Sequence, residues 1–354
     1  MSKLFDPMQL GDVVLANRII MAPLTRGRAE KGHVPSDIMT TYYAQRASAG
    51  LIIAEATMIS EGNSAFIHEP GIYCAAQITA WQKVTQAVHQ EGGKIFLQLW
   101  HGGRTCHSSL NDGAQPVAPS AIAIDGEIHT PDGKKTHEVP RELSADEIPT
   151  VVQAFRQAAI NAKQAGFDGV EVHGANGYLL DQFLRASANK RSDEYGGTLE
   201  NRARLLLEVV DAVVDVIGAG RVGLRISPLN SSNSMRDDDP KGLVEYLVKQ
   251  LNGRNLAYLH LMRADFSRQQ HGDVLSVARE HYTGNLIGNM GYNFAEASQA
   301  LEAGTLDAVA FGKLFISNPD LPRRFAQSMA LTAPDPTSFY THGPRGYIDY
   351  PKAS

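Results

Sequence analysis

The stretch Ser144-Ala-Asp-Glu-Ile-Pro-Thr-Val-Val-Gln-Ala-Phe-Arg-Gln-Ala-Ala-Ile-Asn-Ala-Lys-Gln-Ala-Gly-Phe-Asp-Gly-Val-Glu-Val172 contains one unit of the pattern that decides the fold. Ser144 and Glu147 are spaced for a capping box. Ile148, Val151, Val152, Phe155, Ala159 and Ala162 then recur at helical spacing, which predicts a helix with one apolar stripe. The short run Gly169–Val172 that follows reads as a strand. The same alternation extends in both directions. Strand-like runs fall at Arg18–Ala22, Leu51–Glu55, Lys94–Leu99, Gly169–Val172, Val222–Ile226, Tyr258–Leu261, Leu286–Gly288 and Ala308–Phe311. Several are apolar nearly throughout, as a parallel strand covered on both faces requires. Leu205, Leu206, Val209, Val210 and Val213 mark another helical stripe, and Asn318-Pro319 reads as an N-cap followed by Pro at the first helical position. Eight such units predict an α/β fold, a (β/α)₈ TIM barrel. An open doubly wound sheet is the alternative, but no GxGxxG follows the first strand.

Two stretches break the rhythm. Residues 101–143, rich in Gly, Pro, Ser, Asp and His, form a long insertion after the third strand, read as a cap over the barrel mouth. Met8–Leu15 looks like a hairpin turning at Gly11-Asp12, suited to plugging the barrel bottom. No internal repeat, low-complexity segment or linker appears, so the 354 residues are expected to form a single domain, 1–354.

Hydrophobic residues make up 43% of the chain and charged residues 20%, ordinary values for a globular protein. The formal charge is -5 with no basic block, which argues against nucleic acid as a partner. The two cysteines, Cys74 and Cys106, can build neither a disulfide framework nor a four-cysteine cluster, and this fits a reducing, cytoplasmic location. The opening Met1-Ser-Lys-Leu-Phe-Asp-Pro7 meets Asp6 and Pro7 before any signal-like apolar run, and no segment approaches the roughly 20 apolar residues of a membrane span.

In a barrel of this kind the site lies at the C-terminal ends of the strands. The residues found there are Pro23, Leu24, Thr25 and Arg26; Ala56 and Thr57; Gln98, Trp100 and His101; His173, Asn176 and Tyr178; Arg225 and Ser227; Asn289, Met290 and Gly291; and Gly312 with Lys313. Taken singly, most have bland readings: a structural histidine, a packed tyrosine, a turn threonine, a strand amide. Arg225 is the exception, because a guanidinium inside a barrel strand is costly to bury without an anionic partner.

In order and at matching spacing, several segments resemble the old yellow enzymes, which are flavin-dependent ene-reductases. The bacterial N-ethylmaleimide and nitrate-ester reductase branch is the nearest in pattern. The segments are 17–26, 43–56, 98–101, 173–183, 193–202, 315–321 and 346–351. The resemblance implies bound FMN, NADPH or NADH as electron donor, and a small electrophilic substrate with an activated C=C bond: an enone, enal, maleimide or nitroalkene, with nitrate esters as a further class. It implies that His173 and Asn176 hold the activating oxygen and that Tyr178 gives a proton to the neighbouring carbon. Thr25 and Gln98 would bind the flavin ring, Arg225 its N1–C2 end, and Asn289, Met290, Gly291, Gly312 and Lys313 its phosphate. Pro23, Leu24, Ala56 and His173 would complete the cofactor contacts. Trp100, Phe66, Phe266 and Tyr350 would shape the substrate pocket, although each alone is more often core packing. Relatives usually carry Arg where Lys313 stands, and Lys lacks the planar fork. Phe66 and Phe266 stand where relatives often have Tyr and Trp, which predicts a less polar pocket. No metal site is expected, and the assembly is expected to be a monomer or homodimer. Alternative readings are an amine demethylase on the same barrel, a flavin binder without turnover, or a Lys-based aldolase. The demethylases need cysteines and length this chain lacks, and Lys313 is the one lysine at a plausible strand end.

Overall fold

The computed structural model describes residues 2–353; Met1 and Ser354 lie outside it. The chain opens with strands β1, Met8–Leu10, and β2, Val13–Leu15, paired antiparallel. Their turn falls at Gly11-Asp12 as anticipated. Gly11 has φ +56, and a Cβ there would lie 2.1 Å from the Gly220 carbonyl oxygen, so only glycine fits. Asp12 N–H donates to that same oxygen at 2.8 Å, fastening the hairpin to the loop that enters a barrel strand. Met8, Leu10, Val13 and Leu15 pack with Ile20, Ile53, Phe96 and Ile287, so the hairpin closes the N-terminal end of the barrel with an apolar plug.

The barrel begins with β3, Ile19–Met21, β4, Leu51–Met58, and β5, Ile95–Trp100. Four short strands lie in the 101–143 insertion: β6, Val117–Ala118, β7, Glu127–Thr130, β8, Gly133–Thr136, and β9, Arg141–Glu142. The barrel resumes with β10, Gly169–Gly174, β11, Val222–Ile226, β12, Tyr258–Met262, β13, Leu286–Asn289, and β14, Ala308–Phe311. The eight main strands close in the order β3-β4-β5-β10-β11-β12-β13-β14, every neighbouring pair parallel. This is the (β/α)₈ barrel that the apolar runs predict. All eight expected runs are strands. The strand at 51 continues to Met58 through a bulge between Ala54 and Thr57, and the strand at 169 continues to Gly174, so His173 sits in the strand itself.

Two helix starts differ from expectation. The helix expected from Ser144 begins at Ile148, after a turn over residues 145–147. Glu147 accepts from Ser144 N–H at 2.8 Å, which is half of a capping box, but Pro149 in the first turn moves the helix start to Ile148. Asn318 does not start a helix; it ends the helix Lys313–Ser317, donating to the Leu314 carbonyl, and the next helix, Leu321–Ala326, starts after Asp320 with Pro322 in its first turn. The stripes are buried at Ile148, Val151, Phe155, Ala159 and Ala162 and at Leu205, Leu206, Val209, Val210 and Val213, while Val152 is only partly buried. Among the described residues, no helix is long and apolar enough to cross a membrane.

Glu55, fully buried in β4, ties the barrel to its surroundings. Its carboxylate accepts from the Tyr43 hydroxyl at 3.0 Å and from Arg26 N–H at 3.2 Å. Burial pushes its pKa from 4.5 up to about 7, outweighing those two bonds and the neighbouring arginines. The folded chain therefore holds this proton more firmly than the unfolded chain. The stability it contributes is present below about pH 4.5 and is lost as pH rises through about 7. Urea unfolding at a series of pH values should show stability falling between about pH 5 and pH 8, and Glu55→Gln should flatten that fall. An unchanged slope in the variant would contradict the burial cost assigned to Glu55.

Candidate active site

A cavity of about 420 Å³ opens at the C-terminal ends of the barrel strands. On one side His173, Asn176 and Tyr178 leave β10 together. Asn176 has φ +59 and Gly177 φ +76, two consecutive left-handed residues that turn the chain sharply between strand and helix. Asparagine and glycine tolerate this conformation best. The turn is bolted down: Asn176 N–H donates to Ser227 Oγ at 2.7 Å, its carbonyl accepts from Asn233 at 2.8 Å, and Gly177 N–H donates to Asp181 at 2.8 Å.

These bonds also settle which side-chain atoms are left as donors. Asn230 Oδ1 accepts from Ser232, so the Asn230 amide donates to Asn176 Oδ1 at 2.9 Å. Asn176 Nδ2 is left as a donor. His173 Nδ1 faces Ala175 N–H at 3.3 Å and accepts from it, which puts the imidazole proton on Nε2. Burial, then Arg225 and His260, holds the His173 pKa well below its usual value, so the ring is neutral. Two N–H donors thus leave one turn of chain. Tyr178 is held between two rings, its centroid 5.0 Å from His173 and 5.2 Å from Trp100, both edge-on. Its hydroxyl makes no hydrogen bond to another described residue, and burial raises its pKa further above 10.

Below them lies a polar floor. Arg225 stands beside His173 across β10 and β11, is 6% exposed, and donates to Asn289 Oδ1 at 2.9 Å. Asn289 is fixed in turn by donating to the Ala310 carbonyl at 2.8 Å. Arg225 Nε, buried, has no partner among the described residues. Gln98 lines the same floor, and Thr25, Pro23, Leu24 and Ala56 form the adjoining wall. The Thr25 hydroxyl makes no hydrogen bond among the described residues.

At the far end, β13 and β14 deliver Met290, Gly291, Gly312 and Lys313 to the cavity. Met290 has φ +87 and Gly291 φ +72; a positive φ at methionine costs energy and marks a turn held by its surroundings. Arg263, for which the sequence suggested no role, supplies the hold: it donates to the carbonyls of Met290 at 2.9 Å and Gly291 at 3.2 Å, with its guanidinium 3.7 Å from the Tyr292 ring centroid. Gln270, likewise unassigned, donates to the Leu229 carbonyl and accepts from Asp237 N–H. A Cβ on Gly291 would meet nothing within 4 Å, so open space lies before this turn. Lys313 is exposed at the start of the next helix and forms no ion pair with another described residue.

The expected pocket aromatics divide. Phe66 and Phe266 line the cavity, and Phe266 is 54% exposed at its rim. Trp100 is fully buried behind that surface, its ring 6.1 Å from Phe66. Tyr350 is a correction: it is not on the cavity wall, and its hydroxyl accepts from Asp335 N–H at 3.2 Å. The segment just before it supplies the wall instead, through Phe339 and Tyr340, with Tyr340 stacked at 6.5 Å on Phe66. Arg26 and Arg28 hold this segment by its backbone, donating to the carbonyls of Phe339, Gly346 and Ser338. Tyr292, Leu314 and Ile316 also line the cavity and were not expected. Tyr292 directly follows the Gly291 turn and Leu314 directly follows Lys313, so adjacency was a signal for both.

A profile of the NADH:flavin oxidoreductase / NADH oxidase family matches residues 3–332. A probable flavin mononucleotide-dependent alkene reductase of Leishmania infantum is 50% identical over 354 residues, 98% of this chain and 97% of that one. The structure of the old yellow enzyme from Trypanosoma cruzi superimposes with a TM-score of 0.97 at 46% identity, covering 99% of both chains. Morphinone reductase in complex with tetrahydroNAD gives 0.95 at 47% identity, covering 99% of this chain and 98% of that one. With that likeness across nearly its whole length, the chain belongs to the NADH:flavin oxidoreductase / NADH oxidase family, the family of the old yellow enzymes.

Proposed function

We propose that this chain is an FMN-dependent, NAD(P)H-oxidising ene-reductase whose site residues act in the roles set out below. The observation that carries the reading is the pair of N–H donors, His173 Nε2 and Asn176 Nδ2, beside the unbonded Tyr178 hydroxyl at one end of the cavity.

The residues present suit FMN. Arg225 carries a buried guanidinium with an unpartnered Nε, which calls for an electron-rich group, and the flavin's N1–C2 carbonyl end is one. Gln98 would hold the pyrimidine edge and Thr25 would offer its hydroxyl to the C4 carbonyl. The open space before Gly291, with the N-terminal turn at Gly312 and the charge of Lys313, suits a phosphate. When bound, FMN takes two electrons from NADPH or NADH and supplies hydride from N5 to the β-carbon of an activated alkene.

The chain's own residues do the rest. His173 and Asn176 donate two hydrogen bonds to the substrate's carbonyl or nitro oxygen. The charge growing on that oxygen then meets dipoles already in place, and each such donor contributes roughly a hundredfold or more in rate. Tyr178 holds its proton until the transition state and gives it to the α-carbon. Phe66, Phe266 and Tyr340 border the substrate with apolar faces, which supports enones, enals, maleimides and nitroalkenes over more polar acceptors. Another ene-reductase branch carries Cys where Thr25 stands, so Thr25 in the wall supports placement near the N-ethylmaleimide and nitrate-ester reductase branch, with nitrate esters as a further substrate class. We take the 354 residues as one functional unit with 101–143 as its cap, acting in the cytoplasm as a monomer or homodimer.

Single-turnover reoxidation of the reduced enzyme by an enone tests these roles. Tyr178→Phe should slow it by roughly a hundredfold, the size of a general-acid contribution; an unchanged rate would remove Tyr178 from its role. The pKa of His173 is pushed down from 6.5 and that of Tyr178 up from 10, so neither titrates in the working range. The wild-type reoxidation rate should therefore be flat from about pH 6 to about pH 9, whereas a charged imidazole as the active donor would show as an inflection near pH 6.5.

A further inference from the structure

Glu171 takes no part in the chemistry above, yet it is fully buried inside the barrel. Strand register places it. Gln98, Glu171, Gly223 and Tyr258 stand side by side across β5, β10, β11 and β12, and His173, Arg225 and His260 form the row two residues further on. Side chains two residues apart on a strand share a face, so Glu171 lies one layer beneath His173. Gly223 leaves the room this row needs: a Cβ there would lie 2.1 Å from Tyr258 Cζ.

The Glu171 carboxylate is spent on two partners. Oε1 accepts from Gln98 Nε2 at 2.7 Å, and Oε2 lies 2.8 Å from His260 Nδ1. Burial pulls the His260 pKa down against the pull of Glu171, so His260 is a neutral donor through Nδ1, and its buried Nε2 has no partner among the described residues. A carboxylate this deep is retained only when its bonds are made. Those bonds have a consequence at the cavity. With Nε2 of Gln98 committed to Glu171, the amide cannot flip, and Gln98 presents a fixed edge. A flavin pyrimidine ring alternates acceptor carbonyls with an N–H donor, so the edge presented matters.

We propose that Glu171, backed by His260, is a positioning residue for FMN that locks the Gln98 amide and holds a negative charge beneath the flavin, counter to Arg225. The inference rests on the reading that Gln98 and Arg225 face the pyrimidine end of the ring. Negative charge there disfavours electron gain, so Glu171 sets the cofactor's potential below what Arg225 alone would give.

Glu171→Gln keeps size and packing and removes the charge. In the FMN-loaded variant, spectroelectrochemistry should show the two-electron potential raised by at least tenfold in equilibrium constant, about 30 mV. Fluorescence titration of the apoprotein should show FMN affinity weakened threefold or more. Should Glu171→Gln fail to fold, His260 carries the same test. His260→Leu should move the potential by at least threefold in equilibrium constant, and His260→Asn, which keeps a donor near Nδ1, should stay within twofold of wild type. A purely structural role would leave the potential unmoved, so potential and affinity within twofold of wild type in both Glu171→Gln and His260→Leu would overturn the inference. Gln98→Ala separates the two levels. If Gln98→Ala weakens FMN binding and Glu171→Gln changes nothing, only this inference fails. If Gln98→Ala also leaves FMN affinity unchanged, the placement of the flavin falls with it.

Discussion

A guanidinium buried in the wall of a closed barrel governs the site. Arg225 is held by Asn289, which is held by the Ala310 carbonyl, so three strands, β11, β13 and β14, aim one positive charge into the cavity. Its unpartnered Nε leaves that charge short of compensation, and a buried cation is stable only near an anion or an electron-rich group. The same charge helps keep His173 neutral and therefore a donor. Glu171 opposes it one layer down. On the proposed reading, binding of the cofactor, polarity of the substrate site and electron affinity of the ring thus meet at one residue.

Around that floor the protein fixes donors by exhausting their neighbours' alternatives. Asn230, Ser227 and Asn233 occupy the side-chain oxygen, N–H and carbonyl of Asn176, and Arg263 holds the carbonyls of the turn at Met290. Preorganisation of this kind keeps the dipoles from having to reorient during the reaction, which is where such sites gain most of their rate. The cavity's outer wall is built differently. Arg26 and Arg28 grip backbone carbonyls of the segment near Phe339 and Tyr340, so the aromatic rim is hung from the loop that also carries Thr25.

Much of this was legible beforehand because a barrel converts sequence order into position. Once the apolar runs are strands, the residues at their ends must converge, and His173, Arg225, Gln98, Asn289 and Gly312 do. Tyr350 was misplaced because its segment follows no strand: its path is set by arginine side chains bonding to carbonyls, which have no periodic signature in sequence. That is also why Phe339 and Tyr340 went unseen. The helix starts at Ile148 and Leu321 were misread for a local reason, since Pro149 and Pro322 move the first turn past the residues that looked like caps. The Glu171–His260 pair was invisible for a third reason: only barrel closure brings β10 and β12 to the same axis.

The most direct test is FMN binding by apoprotein carrying Arg225→Met, a substitution of similar volume without the charge. Fluorescence titration should give a dissociation constant weakened at least tenfold against wild type, with a lowered two-electron potential in the fraction that binds. Wild-type affinity together with a wild-type potential would contradict the placement of Arg225 at the flavin, and with it the arrangement of the whole floor.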